Sequence, residues 1–267
     1  MGGSTDPFPS RPPVRGRLGG LAGPMSATTN SPRGIADIPM IGLAHGSRHP
    51  DVAAALADLM AAAGELAGVS ADPAFLDLTE PDLEHAAARL AAHGVQRAVV
   101  VPLLFTPAYH ATIDTPQAVR SAEASSGVAL AVADIIGTGD GVLQLLQDSA
   151  ASAGIDGSCS ILLYAVGSAR EAANAAVRDL AARLAAVRSR PALAAFGTMD
   201  PRPEVVVAEL PEPIAVVPLF LSPGLLLDSM AVLAARHDWP MAKPIGAAAA
   251  PLVVDRYRTA VDDAGWR

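Results

Sequence analysis

Three side chains that could bind a metal or move protons lie in the first half of the chain, each beside a short apolar run. His45 follows the first run, Asp77 ends the second, and His110 follows the third. Neutral imidazole accepts a proton near neutral pH, and two imidazoles with one carboxylate suit a divalent metal that keeps exchangeable positions. These residue types therefore predict a metal-handling or acid–base site.

The apolar runs predict strands of a parallel sheet that would bring the three side chains together. They are apolar on both faces and alternate with helical patterns, which is typical of an α/β sheet with helices on both faces. Ligands bind such sheets at the carboxyl ends of the strands, where all three residues lie. The predicted strands of this half are 40–44, 74–78, 98–105 and 128–133, and the predicted helices are 51–67, a segment capped by Thr79 and ended by Gly94, a segment opened by Thr115, and 140–151.

The alternation of apolar runs with helical patterns restarts in the second half, and the sequences of the two halves can be aligned with each other. Matching segments recur in the same order: 43–48 with 164–169, Phe75 with Phe196, and 100–107 with 216–223. We interpret the body as a tandem duplication of one α/β domain. The resulting division is a disordered leader at 1–36, rich in Pro, Gly, Ser and Arg, a first domain at 37–154 and a second domain at 155–267.

The second half keeps the glycines, prolines and strands but lacks the candidate chemistry. At the three matching positions the polar side chain is replaced: His45 by Val166, His110 by Leu226, and Asp77 approximately by Thr198. Because the requirements of the fold are kept while the polar groups are not, the sequence predicts one site, carried by the first half.

Charge and composition exclude several other classes of protein. The chain has 19 Lys and Arg against 27 Asp and Glu, a formal net charge of −8, so no basic surface for nucleic acid is expected. Cys159 is the single cysteine, which excludes an intramolecular disulfide and a cysteine zinc site and fits a cytoplasmic protein. Outside alanine-rich patches, no stretch of about 18 residues is free of Arg, Asp, Glu and Pro, so no membrane span is predicted.

Short motifs surround the candidate residues in a fixed order: Ala44-His45-Gly46-Ser47-Arg48, then Phe75-Leu76-Asp77 with Pro81, then Val101-Pro102-Leu103, Tyr109-His110 and Asp114-Thr115-Pro116. This set resembles the class II chelatases of the CbiX/SirB type, and the resemblance covers about 38–264. It implies two tandem ferrochelatase-like domains of chelatase fold, forming a cleft within a monomer. It also implies a lyase that inserts a divalent metal into sirohydrochlorin, with Fe²⁺ for siroheme slightly favoured over Co²⁺ for cobalamin, and no organic cofactor.

The resemblance also implies roles for individual residues. The metal-binding and proton-accepting histidines of the family fall on His45 and His110, and its acidic residue falls on Asp77. Many relatives carry Glu at that place, so Glu80 stays an alternative for the acid. Asp77 could instead cap the helix that follows it.

The substrate implied by the resemblance is rich in carboxylates, so hydroxyl and basic groups near the site are candidate substrate contacts. The candidates are Ser47, Arg48, Tyr109 and Arg120. A turn hydroxyl is the alternative for Ser47, and a solvated surface position is the alternative for Arg120. The loop 221–227 of the second half would give the flat macrocycle an apolar surface.

Two other functions fit the same residues. A metal or tetrapyrrole carrier would keep the fold and bind stoichiometrically, whereas an enzyme would turn over metal-free sirohydrochlorin repeatedly. A sensor of a small anion, like the periplasmic binding proteins, would keep its ligand affinity after loss of His45.

Overall fold

Two parallel sheets form the frame of the computed structural model, which describes residues 38–107 and 115–266. The first sheet has the order β2-β1-β3-β4 and consists of β1 (Met40–Ala44), β2 (Ala71–Phe75), β3 (Arg97–Pro102) and β4 (Ala129–Val132). The second has the order β6-β5-β7 and consists of β5 (Ser160–Ala165), β6 (Ala192–Phe196) and β7 (Ile214–Pro218). Every strand pair is parallel, so the predicted α/β class is confirmed. The predicted leader lies outside the described residues.

Helices connect the strands and cover the sheets. They are α1 (Val52–Ala67), α2 (Leu83–Ala92), α3 (Thr115–Ser126), α4 (Asp140–Ser152), α5 (Glu171–Arg188), α6 (Pro203–Val206), α7 (Leu225–Arg236) and α8 (Ala250–Asp263), with 3-10 turns at Val207–Glu209 and Gly246–Ala249. Within the described ranges, none of these helices is both long enough and apolar enough to span a membrane.

One interior strand of each sheet, β1 in the first and β5 in the second, is buried along its whole length. All five residues of β1 and all six of β5 are buried, as expected for strands covered by helices on both faces. Helix α1 buries Val52, Leu56 and Leu59 at spacings of three and four against this core. It ends at Gly68, which takes the left-handed conformation that favours glycine, with φ 73°.

The duplication is visible in the order of the strands, since β6-β5-β7 repeats β2-β1-β3. At the place of β4, the second sheet has an isolated parallel bridge between Val216 and Met241. The two halves also share a core. Tyr257 of α8 is fully buried and donates from its hydroxyl to the carbonyl of Ile38, just before β1, over 2.8 Å. The division at 154 and 155 stays a prediction, while all the described residues belong to one compact unit.

Two predicted strands had wrong boundaries. Strand β2 runs from Ala71 to Phe75, three residues earlier than predicted, because Ala71, Asp72 and Pro73 pair with β1 although Asp72 and Pro73 do not continue an apolar run. Strand β3 ends at Pro102 and does not reach residue 105.

Candidate functional site

His45 and Asp77 lie side by side at the carboxyl edge of the first sheet. The pairing of β1 with β2 continues beyond both strands. The backbone N–H of Leu76 donates to the backbone carbonyl of Ala44, and the backbone N–H of Asp77 donates to that of His45, each over 2.9 Å. His45 is half-buried and Asp77 is exposed. Two of the three predicted site residues are therefore neighbours, as the parallel-sheet argument predicts.

Gly46 makes this close approach of the two loops possible. Its φ is 95°, in the region that side chains rarely adopt, and a Cβ placed on it would lie 1.9 Å from the carbonyl oxygen of Asp77. A residue with a side chain at this position would push the loops of His45 and Asp77 apart.

Thr79 fixes the next part of the loop, and its predicted role as a helix cap was wrong. Its hydroxyl accepts from the N–H of Ser47 over 3.0 Å and donates to the carbonyl of Ser47 over 2.9 Å. The hydroxyl of Ser47 accepts from the N–H of His49 over 3.1 Å, which is the turn role weighed for it. The cap of α2 is Asp82, whose Oδ1 accepts from the N–H of His85 over 2.8 Å.

Glu80, the alternative acid, is engaged at the start of α2 and not at His45. Its Oε2 accepts from the N–H of Asp82 over 3.3 Å and lies 4.0 Å from Nδ1 of His85. The ligand atoms of Glu80, Asp82 and His85 all lie within 4.8 Å of one another on the surface. The backbone hydrogen bond from His85 lowers the pKa of Asp82, and the side-chain hydrogen bond to Asp82 raises the pKa of His85. Capping of α2 accounts for this cluster, and the choice of Asp77 over Glu80 as the acidic site residue stays a prediction.

Two of the candidate substrate contacts, Arg48 and Arg120, lie on different elements of the first half. Arg48 is exposed in the loop of His45. Arg120 is exposed on α3 and lines a pocket of about 490 Å³ at the carboxyl ends of β3 and β4, together with Asp134. His110 and Tyr109 lie outside the described residues.

The second half repeats this loop scaffold with different side chains. The backbone N–H of Gly197 donates to the backbone carbonyl of Ala165, and that of Thr198 donates to the carbonyl of Val166, each over 2.9 Å. These bonds reproduce those between the loops of His45 and Asp77. Val166 therefore takes the place of His45, and Thr198 takes the place of Asp77. Neither position of the second half carries an imidazole or a carboxylate.

The carboxyl edge of the second sheet exposes apolar side chains instead. Val166 is 45% exposed, Met199 in the loop after β6 is 39% exposed, and Leu225 at the start of α7 is 58% exposed. Large apolar groups left in water near a cleft are typical of surfaces that bind an apolar ligand.

The two edges meet at a contact that the sequence did not reveal. Nε2 of His49, in the loop of His45, lies 3.3 Å from Oδ2 of Asp228 in the first turn of α7. From the sequence, His49 is interpreted as a turn residue before Pro50 with no functional role. The one feature that could have pointed to a role was its position in the same loop as His45.

Comparison with known proteins identifies a family model and curated relatives. The CbiX family model matches residues 39–153 and 160–258, one segment in each half. The sirohydrochlorin cobaltochelatase of Sulfurisphaera tokodaii is 32% identical over 74 residues, which are 28% of this chain and 59% of that relative. The chain therefore spans less than two thirds of the length of this relative.

Solved structures with a similar fold include two from Bacillus subtilis. SirB with Fe³⁺ has a TM-score of 0.71 and 22% identity, covering 86% of this chain and 98% of SirB. The sirohydrochlorin chelatase SirB from subspecies spizizenii, in complex with cobalt, has a TM-score of 0.70 and 20% identity, covering 86% of this chain and 97% of SirB. These likenesses confirm the predicted two-domain chelatase fold.

Proposed function

The chain belongs to the CbiX family, and on that basis we propose that it is a sirohydrochlorin chelatase, a lyase that inserts a divalent metal ion into the tetrapyrrole. The observation that carries the proposal is the fixed juxtaposition of His45 and Asp77 in one half only. The name of the curated relative and the metals held by the two SirB structures support the same chemistry.

Insertion of the metal requires a base and a metal ion in the same place. Each divalent ion that enters the macrocycle displaces two pyrrole protons, so charge and atoms balance when two protons leave. We assign the metal contacts and the proton acceptors to His45 and His110, whose neutral imidazoles can do either. The carboxylate of Asp77, beside His45, favours both the metal dication and a protonated imidazole.

The small number of metal ligands from the protein also explains how the metallated product can leave. A metal held by two imidazoles keeps exchangeable coordination positions, so pyrrole nitrogens can occupy these positions one at a time. Both Fe²⁺ and Co²⁺ accept such a donor set, and we propose that one of these two ions is the natural substrate.

The two halves divide the binding of the macrocycle. The exposed side chains of Val166, Met199 and Leu225 supply an apolar wall that suits a flat ring. The carboxylates of the tetrapyrrole would be bound by Ser47, Arg48, Tyr109 and Arg120. Because one chain supplies both walls, we propose a monomer, and its single cysteine, Cys159, fits action in the cytoplasm.

An anaerobic insertion assay tests the proposal. Purified protein is mixed with an excess of metal-free sirohydrochlorin and either Fe²⁺ or Co²⁺, and absorbance follows the metallated product. Many turnovers per chain are expected, and the faster ion identifies the natural metal. Insertion no faster than without protein would contradict the proposal, and stoichiometric binding without turnover would identify a carrier.

A further inference from the structure

The loop that carries His45 is joined to the second half of the chain through His49. Nε2 of His49 lies 3.3 Å from Oδ2 of Asp228. His49 lies between β1 and α1, and Asp228 lies in the first turn of α7, which follows the carboxyl end of β7. The contact therefore spans the two halves at the edge where both sheets present their loops.

Polar contacts on both sides of the His49 ring fix its orientation. The N–H of Asp51 donates to Nδ1 of His49 over 3.2 Å, so Nδ1 is the acceptor. In the neutral ring the proton then lies on Nε2, which faces the carboxylate of Asp228 at 3.3 Å. Only 10% of the His49 side chain is exposed, against 61% for Asp228. His49 is thus held in one orientation and one tautomer.

The second half shows that the turn itself does not require a histidine. The N–H of Arg170 donates to Oγ of Ser168 over 3.1 Å, which repeats the bond from His49 to Ser47. Arg170 is exposed, whereas only 10% of the His49 side chain is exposed. The same backbone turn forms with either residue, so the histidine adds the contact to Asp228.

We propose that His49 is a positioning residue: through Asp228 it holds the loop of His45 against α7 and sets the separation of the two cleft walls that receive the tetrapyrrole. The inference rests on the proposed function. His49 itself touches neither metal nor macrocycle in this account. Loss of the contact therefore weakens tetrapyrrole binding and leaves the affinity for the metal ion unchanged.

Four single variants separate this contact from the local roles of the two residues. His49→Ala removes both ring contacts. His49→Asn keeps an oxygen that can accept from the N–H of Asp51, as in an Asx turn, but is too short to reach Asp228. Asp228→Ala removes the acceptor, whereas Asp228→Asn keeps an acceptor and removes only the charge at the start of α7.

The readouts are the dissociation constant of metal-free sirohydrochlorin by titration, the KM of each substrate, and the melting temperature. His49→Ala, His49→Asn and Asp228→Ala should each weaken tetrapyrrole binding by about three- to tenfold, the range for one partly exposed polar contact. Asp228→Asn should stay close to the wild type. The double variant His49→Ala/Asp228→Ala should be no weaker than the worse single variant.

Other outcomes would overturn the inference. Wild-type binding by His49→Asn would assign the effect to the local turn, and equal losses in both Asp228 variants would assign it to the helix end. Amide hydrogen exchange of residues 46–51 tests the contact without any ligand: exchange should be faster in Asp228→Ala than in Asp228→Asn. Equal exchange would contradict the inference even in a protein with full activity, whereas a wild type without turnover would contradict only the proposed function.

Discussion

The backbone N–H of Asp77 donates to the backbone carbonyl of His45 over 2.9 Å, which fixes a carboxylate-bearing loop beside a histidine-bearing loop. Thr198 and Val166 make the same bond at the same length in the second half. The backbone scaffold is therefore common to both halves, and the side chains that could handle a metal stand on one copy. This asymmetry underlies the proposal of a single site.

Replacement of Gly46 should inactivate the proposed site. In Gly46→Ala the new Cβ would meet the carbonyl oxygen of Asp77, so His45 and Asp77 must separate. Because misplacement of reacting groups by about 1 Å can cost about a hundredfold in rate, we expect a loss of that order in kcat/KM. The control is Gly68→Ala, which also has a positive φ, 73°, but no atom within 4 Å of its Cβ. Equal activity of the two variants would contradict this account of the loop.

Arg120 should contribute to binding of the tetrapyrrole and not to the chemical step. We expect Arg120→Ala to raise the KM for sirohydrochlorin by about three- to tenfold, since one charged hydrogen bond at a solvent-exposed position is lost. The matched control is Arg89→Ala, an exposed arginine in the last turn of α2. Steady-state kinetics at saturating metal measures the effect. Identical KM values for both variants would contradict the assignment of Arg120 to tetrapyrrole binding.

Tyr257 should stabilise the joint core of the two halves. Burial raises its pKa to about 12, and its hydroxyl donates to Ile38. Tyr257→Phe leaves a buried carbonyl without this donor, so the free energy of unfolding should fall by about 1–3 kcal/mol. Urea denaturation measures it, with Thr259→Ala on the exposed side of α8 as the control. The control should change by less than about 0.5 kcal/mol.

The pair of Asp82 and His85 should make the stability of α2 depend on pH. The raised pKa of His85 gives a contribution that is complete below its ordinary value of 6.5 and lost as pH rises through the raised value. The lowered pKa of Asp82 gives a contribution present above its ordinary value of 3.8 and lost as pH falls through the lowered value.

His85→Gln should therefore lower the melting temperature between about pH 4 and 6.5, the window set by the ordinary carboxyl and imidazole values, and have little effect at pH 9. A series of melting curves of wild type and variant checks this. A difference that grows from pH 6 to pH 9 would have the wrong sign for a raised histidine pKa.

The strands that could be predicted to the residue are those with uninterrupted apolar sequence. Strand β1 matches its predicted range, 40–44, because burial on both faces leaves no ambiguity. Strand β2 is an edge strand whose first residues include Asp72 and Pro73, so its sequence does not show the apolar run that marks a central strand.

The site could be predicted where parallel-strand geometry alone determines it, as for His45 and Asp77. Thr79 was assigned wrongly because a threonine before a proline fits a helix cap, and its partner Ser47 lies 32 residues away. The contact of His49 with Asp228 depends on how the two halves pack, which no local pattern encodes.

The most direct test of the single-site account compares His45→Ala with His93→Ala in the anaerobic insertion assay. His93 is an exposed histidine at the end of α2, with Nδ1 2.7 Å from the carbonyl of Arg89. Loss of a proton acceptor at the reacting atoms should lower the insertion rate of His45→Ala by about a hundredfold or more, and His93→Ala should keep the wild-type rate. Both proteins should melt at temperatures close to that of the wild type. Wild-type turnover by a folded His45→Ala protein would contradict the assignment of the chemistry to the first half.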